Sequence, residues 1–359
     1  MTAGNLAGLR VLDLTIWRPG PYATQLLAEQ GAEVLKVEPP GGDPMRSMPD
    51  LFDILGAHKR SIVLDLKTTE GRDRCLELAE GCDVFVESYR PGVAERLGVG
   101  YEAVRARNPA VVYCSITGFG AVGDFAQVPG HDVNYLATTG VLQPDRRRAP
   151  QQPTVPLGDL GGGIAGAFAI ATAVIGARAT GEGERVDVSI TDVLSTWVGP
   201  VGEVRMVGVD RVLAGVPGYG IFPTADDHDI AIGIMNEDHF WAGLCRALGL
   251  PHEDMPNGER NARVRELNAE IAAVICTLTE AEALDRLTAQ DVPAAAVLDR
   301  AAMLEHPHFR ERGVVVAGPA GGPTSGPLVR FEARPGRAPY GAPTVAADEP
   351  GGWPAPARP

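Results

Sequence analysis

The most unusual chemical signal in this chain is an aspartate followed by three glycines, Asp159-Leu-Gly-Gly-Gly163. Glycines at a helix start let a ligand approach the backbone and leave N–H groups to meet it, so the phrase predicts a binder of anions or of an oxyanion. Aspartate is also a favoured N-cap, and that plain structural role accounts for Asp159 equally well by itself. The small-residue stretch Ile164–Arg178 that follows is expected to be helical and to stop at the Gly181-Glu-Gly183 turn. His131, in Gly130-His-Asp-Val-Asn-Tyr-Leu-Ala137, is a second residue able to move protons, although a lone loop histidine is most often structural.

Other chemistries find no support. Gly20-Pro-Tyr-Ala-Thr24 lacks the dinucleotide spacing after the first strand, and Gly161–Gly163 has neither that spacing nor a following βα unit ending in an acidic residue. A Walker A loop, a G-x-S-x-G elbow and an H-E-x-x-H pair are all missing from the sequence. The seven histidines are scattered, with His306 and His308 flanking Pro307 in a loop-like stretch, so no metal site is expected. Cys75, Cys82, Cys114, Cys245 and Cys276 form no C-x-x-C pair and are expected to be reduced and structural. Arg146–Arg148 is expected to be a solvated charge run.

The elements that must carry these residues alternate between short β-branched runs and helical segments, the pattern of βαβ units around a mostly parallel sheet. Strands are expected at Leu9–Leu14, Glu33–Glu38, Ser61–Leu66, Asp83–Glu87, Ala110–Thr117 and Arg185–Ile190, with helices at Pro21–Gln30, Thr69–Glu80, Tyr101–Arg107 and Thr191–Val207. From Gly215 the character changes to a Pro/Gly/Tyr loop, a strand at Asp229–Ile234 and helices at Asp238–Leu248 and Asn261–Leu278. The fold class is therefore α/β: a Rossmann-like large domain over 1–209 ending in a linker helix, a smaller α+β domain over 210–320, and a Pro/Gly-rich strap over 321–359 returning to the large domain.

A net charge of −14 repels nucleic acid and anionic membrane, so a phosphate-bearing ligand needs a local cluster of cations. The longest apolar run, Ile164–Ala177, falls short of the roughly 20 residues that span a bilayer. The chain opens without a charged-then-apolar leader, and a cytoplasmic location is expected.

A run of phrases then resembles one family over nearly the whole length. Leu6-Ala-Gly-Leu-Arg-Val-Leu-Asp-Leu14, Pro19-Gly-Pro21, Gly31-Ala-Glu-Val-Leu-Lys-Val-Glu-Pro-Pro-Gly-Gly-Asp-Pro44, Lys59-Arg-Ser-Ile-Val-Leu-Asp-Leu-Lys67, Tyr89-Arg-Pro-Gly92, Thr117-Gly-Phe-Gly120, Gly158-Asp159, Thr180-Gly-Glu-Gly183 and Asp291-Val-Pro-Ala-Ala295 occur in order. Together they resemble the family III CoA-transferases of the CaiB/BaiF type, and the phrase around His131 resembles its alpha-methylacyl-CoA racemase branch.

The resemblance implies an interlocked homodimer acting on an acyl-CoA thioester, with coenzyme A as part of the substrate and no separate cofactor. It makes His131 and Asp159 a pair of bases facing opposite sides of the thioester α-carbon, which is what inversion there needs: one group removes the proton and another delivers one from the far face. Arg90 carries over as a supporting residue, as does Glu237, paired with His131; Asn236 or Asp238 could fill that role instead. Lys36, Lys59 and Arg60, with Arg46 beside them, occupy positions used near the phosphates or adenine, although each is open to an ordinary ion-pair role. Two other activities stay open: a CoA-transferase with Asp159 as nucleophile, and an acyl-CoA binding protein without catalysis.

Overall fold

The computed structural model describes residues 4–142, 152–203, 216–318, 322–338, 341 and 353. The charge run Arg146–Arg148, the end of the helix expected to reach Val207 and most of the 321–359 strap lie outside the described residues.

Short runs buried along nearly their whole length build a single parallel sheet in the first half. Its strands are β1 (Arg10–Leu14), β2 (Glu33–Glu38), β3 (Lys59–Val63), β4 (Val84–Glu87), β5 (Val112–Thr117) and β6 (Arg185–Ser189), in the order β3-β2-β1-β4-β5-β6 with every neighbouring pair parallel. Between them run α1 (Pro19–Glu29), α2 (Pro49–Leu55), α3 (Thr69–Glu80), α4 (Val93–Arg96), α5 (Tyr101–Arg107), α6 (Asp132–Thr138) and α7 (Leu157–Thr180), and α8 (Ile190–Glu203) follows the last strand.

Alternate strand residues feed two cores. Val11, Val34, Val84, Val86, Cys114 and Ile116 pack under α1 and α7, whereas Leu12, Leu14, Leu35, Phe85 and Tyr113 pack under α3 and α5. Both faces are covered, as a parallel sheet requires. Local chemistry sets several boundaries: Thr68 caps α3 by accepting the Gly71 N–H at 3.1 Å, Gly81 ends it, and proline stands in the first turn of α1.

The long helix departs from expectation at its start. It begins at Leu157 rather than after the glycines, so Gly161–Gly163 are interior helical residues whose N–H groups belong to the helix ladder. Their lack of side chains serves packing instead: an added Cβ would lie 2.5 Å from Trp197 at Gly161, 2.7 Å from Ile190 at Gly162 and 2.7 Å from Tyr22 at Gly163. With 24 residues, α7 is also long and apolar enough to cross a bilayer, which the shorter run expected from sequence was not. One side of it is buried against α1, β5 and β6, while Ile164, Phe168 and Ile175 are exposed.

The chain divides into two compact units, Met1–Val198 with Pro307–Pro359, and Gly199–His306. The return to the first unit thus begins at Pro307, earlier than the expected 321. Trp353 Nε1 donates to Leu78 O at 2.8 Å and Arg337 N to Glu29 O at 3.0 Å, tying that return to the large unit. The second unit has an antiparallel sheet of β7 (Tyr219–Pro223), β8 (Asp229–Gly233) and β9 (Ala294–Ala296). Its core joins the sheet to α9 (Asp238–Leu248), α11 (Val264–Ile275) and α12 (Glu280–Thr288) around the buried Trp241 and Ile271, and α10 (Asn257–Ala262) lays Arg260 over the Trp241 ring. After α13 (Arg300–Glu305), the first unit resumes with α14 (Pro307–Glu311) and the pair β10 (Val315–Ala317) and β11 (Pro323–Ser325).

Candidate active site

In a sheet of order 3-2-1-4-5-6 the connections leave β1 and β4 in opposite directions, and a crevice opens beyond their carboxyl ends. Here that crevice is a cleft of about 440 Å³, within the range of ligand sites. Ile16, Trp17 and Pro19 line it from the end of β1, Ser88 to Pro91 from the end of β4, and Ile116 to Phe119 from β5. His131, Asn134, Tyr135 and Asp159 close it from the starts of α6 and α7. Of the residues singled out in the sequence, His131, Asp159 and Arg90 share this one cleft.

His131 is the extended residue before α6, with φ −126°, and its backbone N–H donates to Asn134 Oδ1 at 3.0 Å. The imidazole is exposed and meets the Trp17 ring edge-on, with centroids 5.9 Å apart. Trp17 holds φ 63°, a left-handed conformation that costs a bulky residue about 1–2 kcal/mol and persists where the surroundings enforce it. Sequence analysis passed over this residue; its place between a strand end and a helix-starting proline is the signal that could have found it.

Asp159 sits in the first turn of α7, half-buried. Burial raises its carboxyl from the ordinary 3.8 to about 6, reinforced by the negative charge of Asp132, while Arg18 and His131 act in the opposite direction. Asp132, which the sequence reading passed over, accepts the N–H groups of Gly158 and Asp159 on Oδ1 at 2.8 and 3.0 Å. These are helix-start donors with no partner inside the helix. The expected oxyanion site at Asp159–Gly163 is therefore corrected: the Gly158 and Asp159 donors are taken by Asp132, Leu160 N–H bonds to Pro156 O, and the glycines lie within the helix.

Arg90 is exposed on the cleft wall. Glu237 belongs to the second unit, where its Oε2 accepts from its own neighbours Met235 N at 2.9 Å and Asn236 N at 3.0 Å. Asn236 accepts from Asn257 Nδ2, and Asp238 pairs with the buried Arg260, so Asp238 is already committed.

Three of the four cations expected near phosphate are engaged in ion pairs. Lys59 Nζ spends its donors on Asp13 Oδ2 (3.0 Å), Pro21 O (2.9 Å) and Thr24 Oγ1 (2.7 Å), fully buried. Lys36 is buried against Asp43 Oδ2 and Thr15 O, each at 2.7 Å. Arg46 grips Glu38 through two 2.7 Å bonds and lies over the Phe52 ring. Acidic residues at the ends of β1 and β2 and in the loop after β2 neutralise these charges; those acids stood in the same phrases and were the signal to weigh. Arg60, which alternates with Lys59 on edge strand β3, faces solvent. Among the described residues no group of histidine, cysteine and carboxylate side chains is arranged to hold a metal.

Comparison with known proteins places this doubly wound fold in one family. The model of CoA-transferase family III matches residues 6–349. Human alpha-methylacyl-CoA racemase is 33% identical over 327 residues, covering 86% of this chain and 81% of its own. The succinyl-CoA:mesaconate CoA-transferase of Haloarcula hispanica is 36% identical over 336 residues, covering 86% and 84%. Among solved structures, Rv3272 from Mycobacterium tuberculosis superposes with a TM-score of 0.86 at 28% identity, covering 96% of this chain and 98% of that one. A CAIB/BAIF family protein from Brucella suis gives 0.82 at 27%, covering 96% and 97%. The chain belongs to CoA-transferase family III, a family of enzymes that holds both racemases and CoA-transferases.

Proposed function

We propose that the protein racemises or epimerises 2-methylacyl-CoA thioesters by a two-base 1,1-proton transfer. The observation that carries this reading is that His131 and Asp159 line one cleft, with the Asp159 carboxyl raised to about 6, where it both holds and releases a proton near neutral pH. In one direction the Asp159 carboxylate takes the α-proton, the electron pair passes to the thioester oxygen as an enolate, and protonated His131 delivers a proton to the opposite face. The reverse direction exchanges the roles. One proton leaves the carbon and one returns, with no change in oxidation state, so the step calls for no redox group. Arg90 on the wall supplies positive charge for the enolate, and the apolar face of Trp17 suits the α-methyl and acyl groups. Arg60 is the solvent-facing cation for the coenzyme's phosphates. Homodimerisation, pairing of Glu237 with His131 and a cytoplasmic location belong to the same reading; sedimentation and cell fractionation check the first and last.

The similarity to transferases favours one other reading. There the Asp159 carboxylate attacks the thioester carbonyl, forming a mixed anhydride and expelling the CoA thiolate, and His131 has no task. Incubation of a 2-methylacyl-CoA in deuterium oxide without an acid acceptor separates the two. Deuterium is expected at the α-position with inversion for the intact enzyme, and the inversion is expected to be lost in His131→Ala. If no α-exchange occurs and CoA passes to an added carboxylic acid, the racemase reading is overturned.

A further inference from the structure

We propose that Asp132 is a positioning residue that locks the two bases together: it directly follows His131 at the start of α6, and its Oδ1 holds the Gly158 and Asp159 N–H groups at the start of α7. The proposal rests on the reading of His131 and Asp159 as bases. The clamp is tightly built. A Cβ at Gly158 would lie 3.0 Å from Asp132 Oδ1, so glycine lets the carboxylate approach that backbone closely. Through this one side chain the helix start that carries His131 is fixed to the helix start that carries Asp159.

Clamping alone does not call for a charge. An asparagine carbonyl would accept the same two N–H groups, and the second carboxylate oxygen, Asp132 Oδ2, is buried with no hydrogen-bond partner among the described residues. Asp132 is 8% exposed, so its charge is poorly solvated. What the charge does is act on its neighbour. Asp159 faces Arg18 from the loop ahead of α1, His131 and Asp132 from the start of α6, and Tyr135 one turn further along α6, with Arg90 near that tyrosine. Arg18 and protonated His131 both favour a permanently ionised Asp159. Burial opposes them first and the Asp132 carboxylate adds to it, and together they keep Asp159 able to serve as acid as well as base.

The test uses the full-length protein and two readouts. Carbon-13 NMR of carboxyl-labelled aspartate follows the Asp159 titration without any substrate, assigned by its loss in Asp159→Asn. Exchange of deuterium from each enantiomer of a 2-methylacyl-CoA then follows the two directions against pH. Asp132→Asn keeps the clamp and removes the charge. It should lower the Asp159 midpoint by about one pH unit or more and slow the direction that uses Asp159 as acid about tenfold, with a smaller effect on the other. Gly158→Ala, which pushes the clamp apart, is expected to slow both directions and serves if Asp132→Asn folds poorly. An unchanged Asp159 midpoint in a folded Asp132→Asn overturns the proposal even if α-exchange is intact. A shifted midpoint in an enzyme that never exchanges the α-proton supports the action of Asp132 on Asp159 while overturning the racemase reading alone.

Discussion

Replacing Lys59 by methionine asks whether this lysine holds the fold or the substrate. Both members of the Lys59–Asp13 pair are 0% exposed, and the ammonium also bonds to Pro21 O and Thr24 Oγ1. Burial works against a charge on Asp13, yet Lys59, with help from Lys36 and the Thr15 and Thr24 hydroxyls, holds its carboxyl down at about 2. Methionine preserves most of the volume but takes away that buried carboxylate's direct ion-pair partner, a change that costs about 3–5 kcal/mol. A whole domain is stable by only about 5–15 kcal/mol. With a urea m-value of about 2–3 kcal/mol per molar, the midpoint of the large unit should fall by about 1–2 M. The double change Asp13→Asn with Lys59→Met removes the uncompensated charge and should recover much of the loss. Equilibrium urea unfolding followed by tryptophan fluorescence and circular dichroism provides the comparison, alongside KM for an acyl-CoA. If Lys59→Met unfolds at the wild-type midpoint and its KM rises, the lysine is a phosphate ligand and the structural reasoning is refuted.

Two further predictions concern the site and the long helix. Because the Asp159 carboxyl is raised to about 6, its ionised form is lost as pH falls through that value; exchange that uses it as base should drop about fivefold from pH 6 to pH 5, and a limb near 4 would show that burial and Asp132 do not act on it. In α7, Gly162→Val brings a side chain to within 2.7 Å of Ile190 and should cost about 1–3 kcal/mol in thermal unfolding, whereas Gly176→Ala, exposed with nothing within 4 Å, should be neutral or stabilising by up to about 1 kcal/mol; equal destabilisation by both would contradict the packing role assigned to the glycines.

Much of the large unit was legible because its signals are local. Glu33–Glu38, Thr69–Glu80 and Tyr101–Arg107 have the expected ends, since a short β-branched run, a threonine cap and a stopping glycine all act within a few residues of where they are written. His131 and Asp159 were found through short phrases, and the chain folds so that both reach one cleft. The triglycine misled because glycine serves close packing as well as backbone exposure, and the choice between them depended on Trp197, Ile190 and Tyr22.

What the sequence by itself determined is the alternation of strands and helices, the layered α/β class and the residue types able to move a proton, because these follow from periodicity and side-chain chemistry. What only the tertiary structure decided is pairing at a distance. Lys59 meets an aspartate 46 positions away, and Asp132 reaches backbone donors 26 and 27 positions ahead. Parallel strands and crossover helices bring such groups together, and the strength of a charge is set by what it then faces and how little water is left around it. For that reason buried ion pairs stand where phosphate ligands were expected, and the clamp beside Asp159 was invisible until the two helix starts lay side by side.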